Sequence, residues 1–173
     1  NNYQKFWLFD EDSSKYLKIT EGHYANGVES LQFIGYGKNE YLEVDKVSVK
    51  TPKGAIKLPK GEFELSAKIW LDQGRIAEKI HVILQNPKVE LSLDNLKELP
   101  RLQWVTVNAK FSRTEASATD DGIVIEIRKE DLPETKAAKL YIDNIEMNRI
   151  TYMSDGLKVN GLMVRPKKSG NYP

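Results

Sequence analysis

Apolar and polar residues alternate with a period of two over several stretches of this chain, most cleanly at Phe63, Leu65, Ala67, Ile69 and Leu71. A repeat of two places alternate side chains on opposite faces of a strand. Residues 62–71 therefore read as a strand with those five facing a core and Glu62, Glu64, Ser66, Lys68 and Trp70 facing away. Three later runs, 104–111, 122–128 and 139–147, read the same way. Trp104, Thr106, Asn108 and Lys110 alternate with Val105, Val107, Ala109 and Phe111, and Ile123, Ile125 and Ile127 alternate with Val124, Glu126 and Arg128. The third run changes step at Asp143-Asn144, because Leu140 and Ile142 share one face while Ile145 and Met147 fall on the other. A bulge or an edge kink there would repair the register and leave Asp143 aimed somewhere particular.

Shorter strands are predicted at 15–20, 29–35, 41–50 (with one slip in register) and 80–85, where Asn86-Pro87 ends the last. Gly35 to Asn39 reads as a turn, as do Asp72-Gln73-Gly74 and Asp120-Asp121-Gly122. Residues 51–61 hold two prolines and two glycines and read as a loop. Phe6, Trp7 and Phe9 are costly to leave in water, so the opening segment lies against the body. A helical turn is predicted within 91–100, with Asp94 as N-cap and Pro100 as stop, and another short helix within 129–139. About eight strands with turns between them suit an all-β, antiparallel two-sheet jelly-roll sandwich. After Met147, Ile150–Met153 and Val159–Val164 flank Ser154-Asp155-Gly156 and predict a C-terminal β-hairpin appendage.

Composition narrows the function classes. The 173 residues are 40% hydrophobic and 29% charged, enough to fill one core and solvate its surface. Twenty-six basic and 25 acidic side chains are interspersed, for a formal charge of +1, so no long-range field gathers nucleic acid or anionic lipid. Lys46, Lys50, Lys53, Lys57 and Lys60 are bracketed by Glu40, Glu43, Asp45 and Glu62 without interleaved aromatics, which reads as a solvated loop. With no cysteine, disulfide and thiolate chemistry are excluded. No stretch reads as a signal peptide or a bilayer-spanning run, so no membrane partner is expected.

The strings WVTVNAKF (104–111) and LYIDNIEM (140–147), with GVESLQFIG (27–35) and LPKGEFELSAKIW (58–70), resemble the galactose-binding-like jelly-roll domains. That group includes carbohydrate-binding modules of secreted bacterial enzymes. The resemblance implies a non-catalytic module of an extracellular or cell-surface hydrolase, binding polysaccharide or oligosaccharide. It also implies that Trp104 is a structural core residue. A structural calcium ion would tie the N-terminal Asp10 and Asp12 to Asp143, although Asn144 stands where the family often has a second Asp. The string YMSDGLKVNGLMVRPKKSGNYP (152–173) resembles the start of the catalytic domain of prolyl-oligopeptidase-like α/β hydrolases. The expected division is a sandwich domain at 1–147 and, at 148–173, a segment leading to a hydrolase domain in cis.

The residues themselves offer no catalytic constellation. There is no G-x-S-x-G elbow, and the only histidines are His23 in a loop and His81 in a strand. Nothing in the spacing brings Ser30, Ser66 or Ser92 to either, so each histidine reads as a surface or edge-strand residue and the chain as inert. Trp70, on the polar face of its strand, is the leading ligand-binding candidate, since an outward indole can stack on a sugar. It can equally pack under a loop or against a second domain. Tyr24, Tyr36 and Tyr41 in or beside loops, with His81 and Gln85 on another strand, complete the candidate set. The rival class is a ligand-free accessory domain of a peptidase or esterase that shapes substrate access or supports folding. An adhesion or lectin-like domain with no enzyme attached is a third.

Overall fold

The structure, a computed structural model, describes residues 7–40, 44–150 and 161–163. Among these, the strands are β1 (Leu8–Phe9), β2 (Leu17–Glu21), β3 (Glu29–Phe33), β4 (Lys46–Lys50), β5 (Gly61–Leu71), β6 (Ile80–Gln85), β7 (Lys88–Leu93), β8 (Trp104–Arg113), β9 (Ile123–Arg128), β10 (Leu140–Arg149) and β11 (Gly161–Met163). They form two antiparallel sheets. The first has the order β1-β4-β9-β6-β7 and the second β2-β3-β10-β5-β8, with β11 paired to the far end of β10. The alternation thus builds the two-layered, all-β body it predicts. The rest of the expected C-terminal hairpin, and the stretch resembling a hydrolase domain, lie outside the described residues apart from β11.

The inward rows meet in one core. Phe63, Leu65, Ala67, Ile69 and Leu71 of β5 are all buried, as are Val47 and Val49 of β4, Ile80, Val82 and Leu84 of β6, and Ile123, Ile125 and Ile127 of β9. Ile56 and Leu58 of the proline-rich loop join them, so that loop is pinned by its apolar residues. Truncating Ile69, which has no exposed surface, to Ala would cost about 2–5 kcal/mol.

The change of step in β10 is a bulge. Residues 140–143 pair with Leu71–Lys68 and residues 146–149 with Ser66–Phe63, leaving Asn144 and Ile145 opposite Ala67 alone. Asn144 takes φ 51°, a left-handed conformation that Asn tolerates better than most residues. The shift returns Ile145 and Met147 to the core.

Four local expectations are refined. Residues 88–93 form β7, and Gln85 pairs with Lys88, so Asn86 and Pro87 (joined by a cis bond) make a two-residue hairpin loop. Proline lacks a backbone donor, but in the loop no ladder bond is required of it. The 3-10 turn comes later, at Leu96–Glu98, with Asn95 and not Asp94 at the N-cap; Asp94 instead accepts the Ser92 hydroxyl. Gly35 and Gly37 mark a close backbone passage, since a Cβ on either would collide with main-chain atoms of Thr135 to Ala138, and the expected turn follows as a 3-10 turn at Lys38–Glu40. The short helix expected in 129–139 is a 3-10 turn at Lys129–Asp131.

Asp121 belongs to more than a turn. It is buried, meets Arg113 Nη1 at 2.7 Å through Oδ2, and accepts the Asn86 N–H and the Ser117 hydroxyl. This knot ties the β8–β9 connection to the β6–β7 hairpin.

Candidate ligand-binding face

The outer face of the second sheet carries the outward rows of β10, β5 and β8. Register puts Tyr141 opposite Trp70, and Trp70 opposite Trp104, so three aromatic rings cross three adjacent strands in one line. Neighbouring strands lie about 4.8 Å apart, which makes such a row a near-continuous apolar strip. The two indoles have centroids 5.9 Å apart at 61°. Trp104 is half-buried on this face, so its expected place in the core is overturned. The reason is parity: Phe111 fills the core, Val105, Val107 and Ala109 share its side of β8, and Trp104 falls on the other.

Polar contacts fix the strip. Trp70 Nε1 donates to Asp72 Oδ1 at 3.4 Å, and Gln32 Nε2 donates to the Tyr141 hydroxyl at 3.4 Å. Gln32 Oε1 in turn accepts the Thr20 hydroxyl at 2.6 Å. Burial, with the nearby Asp72 charge adding to it, raises the Tyr141 phenol above its ordinary range, so it stays a neutral donor. Away from the rings the face turns polar in successive cross-strand pairs: Lys68 with Thr106, Ser66 with Asn108, Glu64 with Lys110 and Glu62 with Ser112. One end thus offers apolar ring faces and the remainder hydrogen-bonding groups of both signs.

Over the strip lies His23, from the β2–β3 loop. Its ring centroid is 4.5 Å from Trp70, 5.5 Å from Trp104 and 4.1 Å from Tyr141. A surface or edge-strand place was expected for it, and no spacing in the sequence signals this contact.

The other candidates are dispersed. Tyr24 is exposed on the loop that carries His23, whereas Tyr36 packs edge-on against Tyr16, centroids 4.8 Å apart, beside the core. Tyr41 lies outside the described residues. His81 and Gln85 sit on the outer face of the first sheet, opposite to Trp70, and do not join the strip. His81 is buried, with Nε2 2.7 Å from Asp131 and Nδ1 3.5 Å from Glu90. Arg128 links Glu90 to Glu126, and its hydrogen bond is the main reason the Glu90 carboxyl is held below its usual range.

Asp10 and Asp143 are engaged separately. Asp143 Oδ2 accepts the N–H groups of Ala25 and Asn26, both at 2.8 Å, and its Oδ1 accepts the Asn144 N–H. Asp10 accepts the Ser48 hydroxyl and lies 3.9 Å from Lys50, and Asp12 makes no side-chain cap. Calcium needs six to eight converging oxygens. Among the described residues no group of three or more His, Cys, Asp or Glu is placed to hold a metal ion.

No family model matches the chain, and no curated protein matches it by sequence. Solved structures do match by shape. A carbohydrate-binding module of Caldicellulosiruptor saccharolyticus in complex with mannohexaose has a TM-score of 0.52 at 10% identity, over 82% of this chain and 88% of that one. A module specific for non-crystalline cellulose has a TM-score of 0.50 at 16% identity, over 82% and 87%. The chain has the β-sandwich fold of such modules. It also matches xylanase modules of Clostridium thermocellum complexed with xylohexaose, with a TM-score of 0.50 at 13% identity, over 88% of this chain but 27% of that protein. Identities this low make the likeness one of fold, and one fold hosts many sites.

Proposed function

We propose that this chain is a non-catalytic carbohydrate-binding module that engages a polysaccharide or oligosaccharide on the outer face of its second sheet. The observation that carries this reading is the Tyr141–Trp70–Trp104 line, with polar side chains continuing along the same face. Sugars present apolar C–H faces and a rim of hydroxyls, and this surface has a partner for each. Covering about 120 Å² of ring surface is worth about 3 kcal/mol. Association itself costs about 4–15 kcal/mol, more than the rings alone return, so hydrogen bonds along the polar part of the face have to supply the rest. A lone module therefore binds weakly and gains by tethering. In a longer secreted protein its role would be to hold an attached hydrolase at its substrate.

The rival reading, a ligand-free accessory domain, draws on a different observation: the strip already has a protein partner in His23. Affinity electrophoresis on xylan, mannan and soluble cellulose derivatives separates the two. The module reading expects retention of the native chain on at least one of these. Trp70→Ala and Trp104→Ala should each weaken it at least tenfold while still folding. Unchanged mobility of the native chain in every gel would favour the accessory role, and undiminished retention of both variants would move the site off this face.

A further inference from the structure

Outward rings on a sheet face ordinarily have water above them. Here Trp70, Trp104 and Tyr141 are each half-buried, and one imidazole makes ring contact with all three. The loop bearing it is fastened from two sides. The bulge at Asn144 re-aims the β10 backbone, and the Asp143 carboxylate beside it holds the Ala25 and Asn26 N–H groups; the Ser30 hydroxyl donates to the His23 carbonyl at 2.6 Å. Yet the seat does not satisfy the side chain it holds. Among the described residues His23 Nε2 is buried without a hydrogen-bond partner, a condition that few buried polar atoms tolerate because it forfeits their hydration.

We propose that His23 is a built-in occupant of the aromatic strip, seated where a sugar ring would stack, and that ligand binding displaces it. This rests on the carbohydrate-binding reading and adds to it the competitor that sets the affinity. Leaving the seat returns Nε2 to water, which offsets part of the lost ring contact. Gly22 and Gly27, both at positive φ, bound the short segment that has to swing. If the open state makes up about 1–10% of the free protein, apparent affinity is lowered by that fraction. Emptying the seat should then tighten binding about ten- to hundredfold.

Isothermal titration of the native chain, His23→Ala and His23→Phe with xylohexaose, mannohexaose and cellohexaose tests this. His23→Ala should bind at least tenfold tighter than native. His23→Phe, which refills the seat with a ring, should bind no tighter than native. Equal or weaker binding by His23→Ala with a native melting midpoint would make His23 part of the platform, overturning the inference while leaving the binding reading in place. No binding by any of the three chains would sink both. Should His23→Ala melt early, amide exchange in the native chain decides: Ala25 and Asn26 must lose protection at saturating sugar, and retained protection would overturn the displacement.

Discussion

Replacing Asp121 by Ala is expected to cost about 3–5 kcal/mol of folding stability, the range for breaking a buried ion pair. The Asp121 and Arg113 side chains have no exposed surface and meet at 2.7 Å. Without the carboxylate, the guanidinium stays in the interior with the Pro87 carbonyl at 3.2 Å, and even in the native chain its Nε has no partner among the described residues. The same carboxylate takes the Asn86 N–H at 2.8 Å, the Gly122 N–H at 2.9 Å and the Ser117 hydroxyl at 2.6 Å, so its loss also orphans two backbone donors. Thermal unfolding followed by circular dichroism reads the effect. At about 2–4 °C per kcal/mol for a chain of this size, the midpoint should fall by about 6–20 °C. The double variant Arg113→Met/Asp121→Ala removes the stranded charge but not the orphaned amides, so a residual loss of at least about 1–3 kcal/mol should persist. A single variant within about 1 kcal/mol of native would refute the buried-pair reasoning, as would a double variant no more stable than the single.

Two titrations and a chelation follow from the same geometry. Glu90 is held below its ordinary 4.5, chiefly by the Arg128 hydrogen bond against opposing burial. A lowered carboxylate contributes stability that is present above its unfolded value and lost as pH falls through the folded one. The native chain should therefore lose stability faster than Glu90→Gln below pH 4.5; parallel acid limbs would contradict this. Tyr141 is raised above 10.0, so its contribution is intact below that pH and fades as pH climbs through the raised value. Tyr141→Phe should lack this alkaline decline, and an identical decline would assign it elsewhere. For the calcium ion expected at Asp10, Asp12 and Asp143, melting with and without chelator is the test. With both Asp143 oxygens taken by N–H donors, we expect an unaltered midpoint, and a lowered one would restore the ion.

The fold was legible because a period of two carries its own parity. Five alternating residues in β5 and three isoleucines in β9 place their faces without help from tertiary structure. The slip at Asp143-Asn144 was legible for the same reason, since two apolar pairs of opposite parity require an extra residue between them. What Asp143 would hold was not, because its partners lie 118 and 117 positions away in an irregular loop. The same holds for His23, whose seat depends on where that loop lands. Trp104 shows resemblance overriding parity: alternation with Val105, Val107 and Phe111 already put it on Trp70's face. β7 was hidden by Pro87, whose missing donor argues against a strand in the middle but not in a two-residue hairpin loop.

The central claim, that sugar is read on the outer face of the second sheet, is tested most directly by a 1H–15N correlation titration of the native chain with oligosaccharide. Trp7, buried in the core, is an internal reference. The indole N–H signals of Trp70 and Trp104 and the amides around Tyr141 should move together and saturably, while those of Trp7, His81 and Gln85 stay in place. Shifts gathered on the first sheet, around His81 and Gln85, would contradict it.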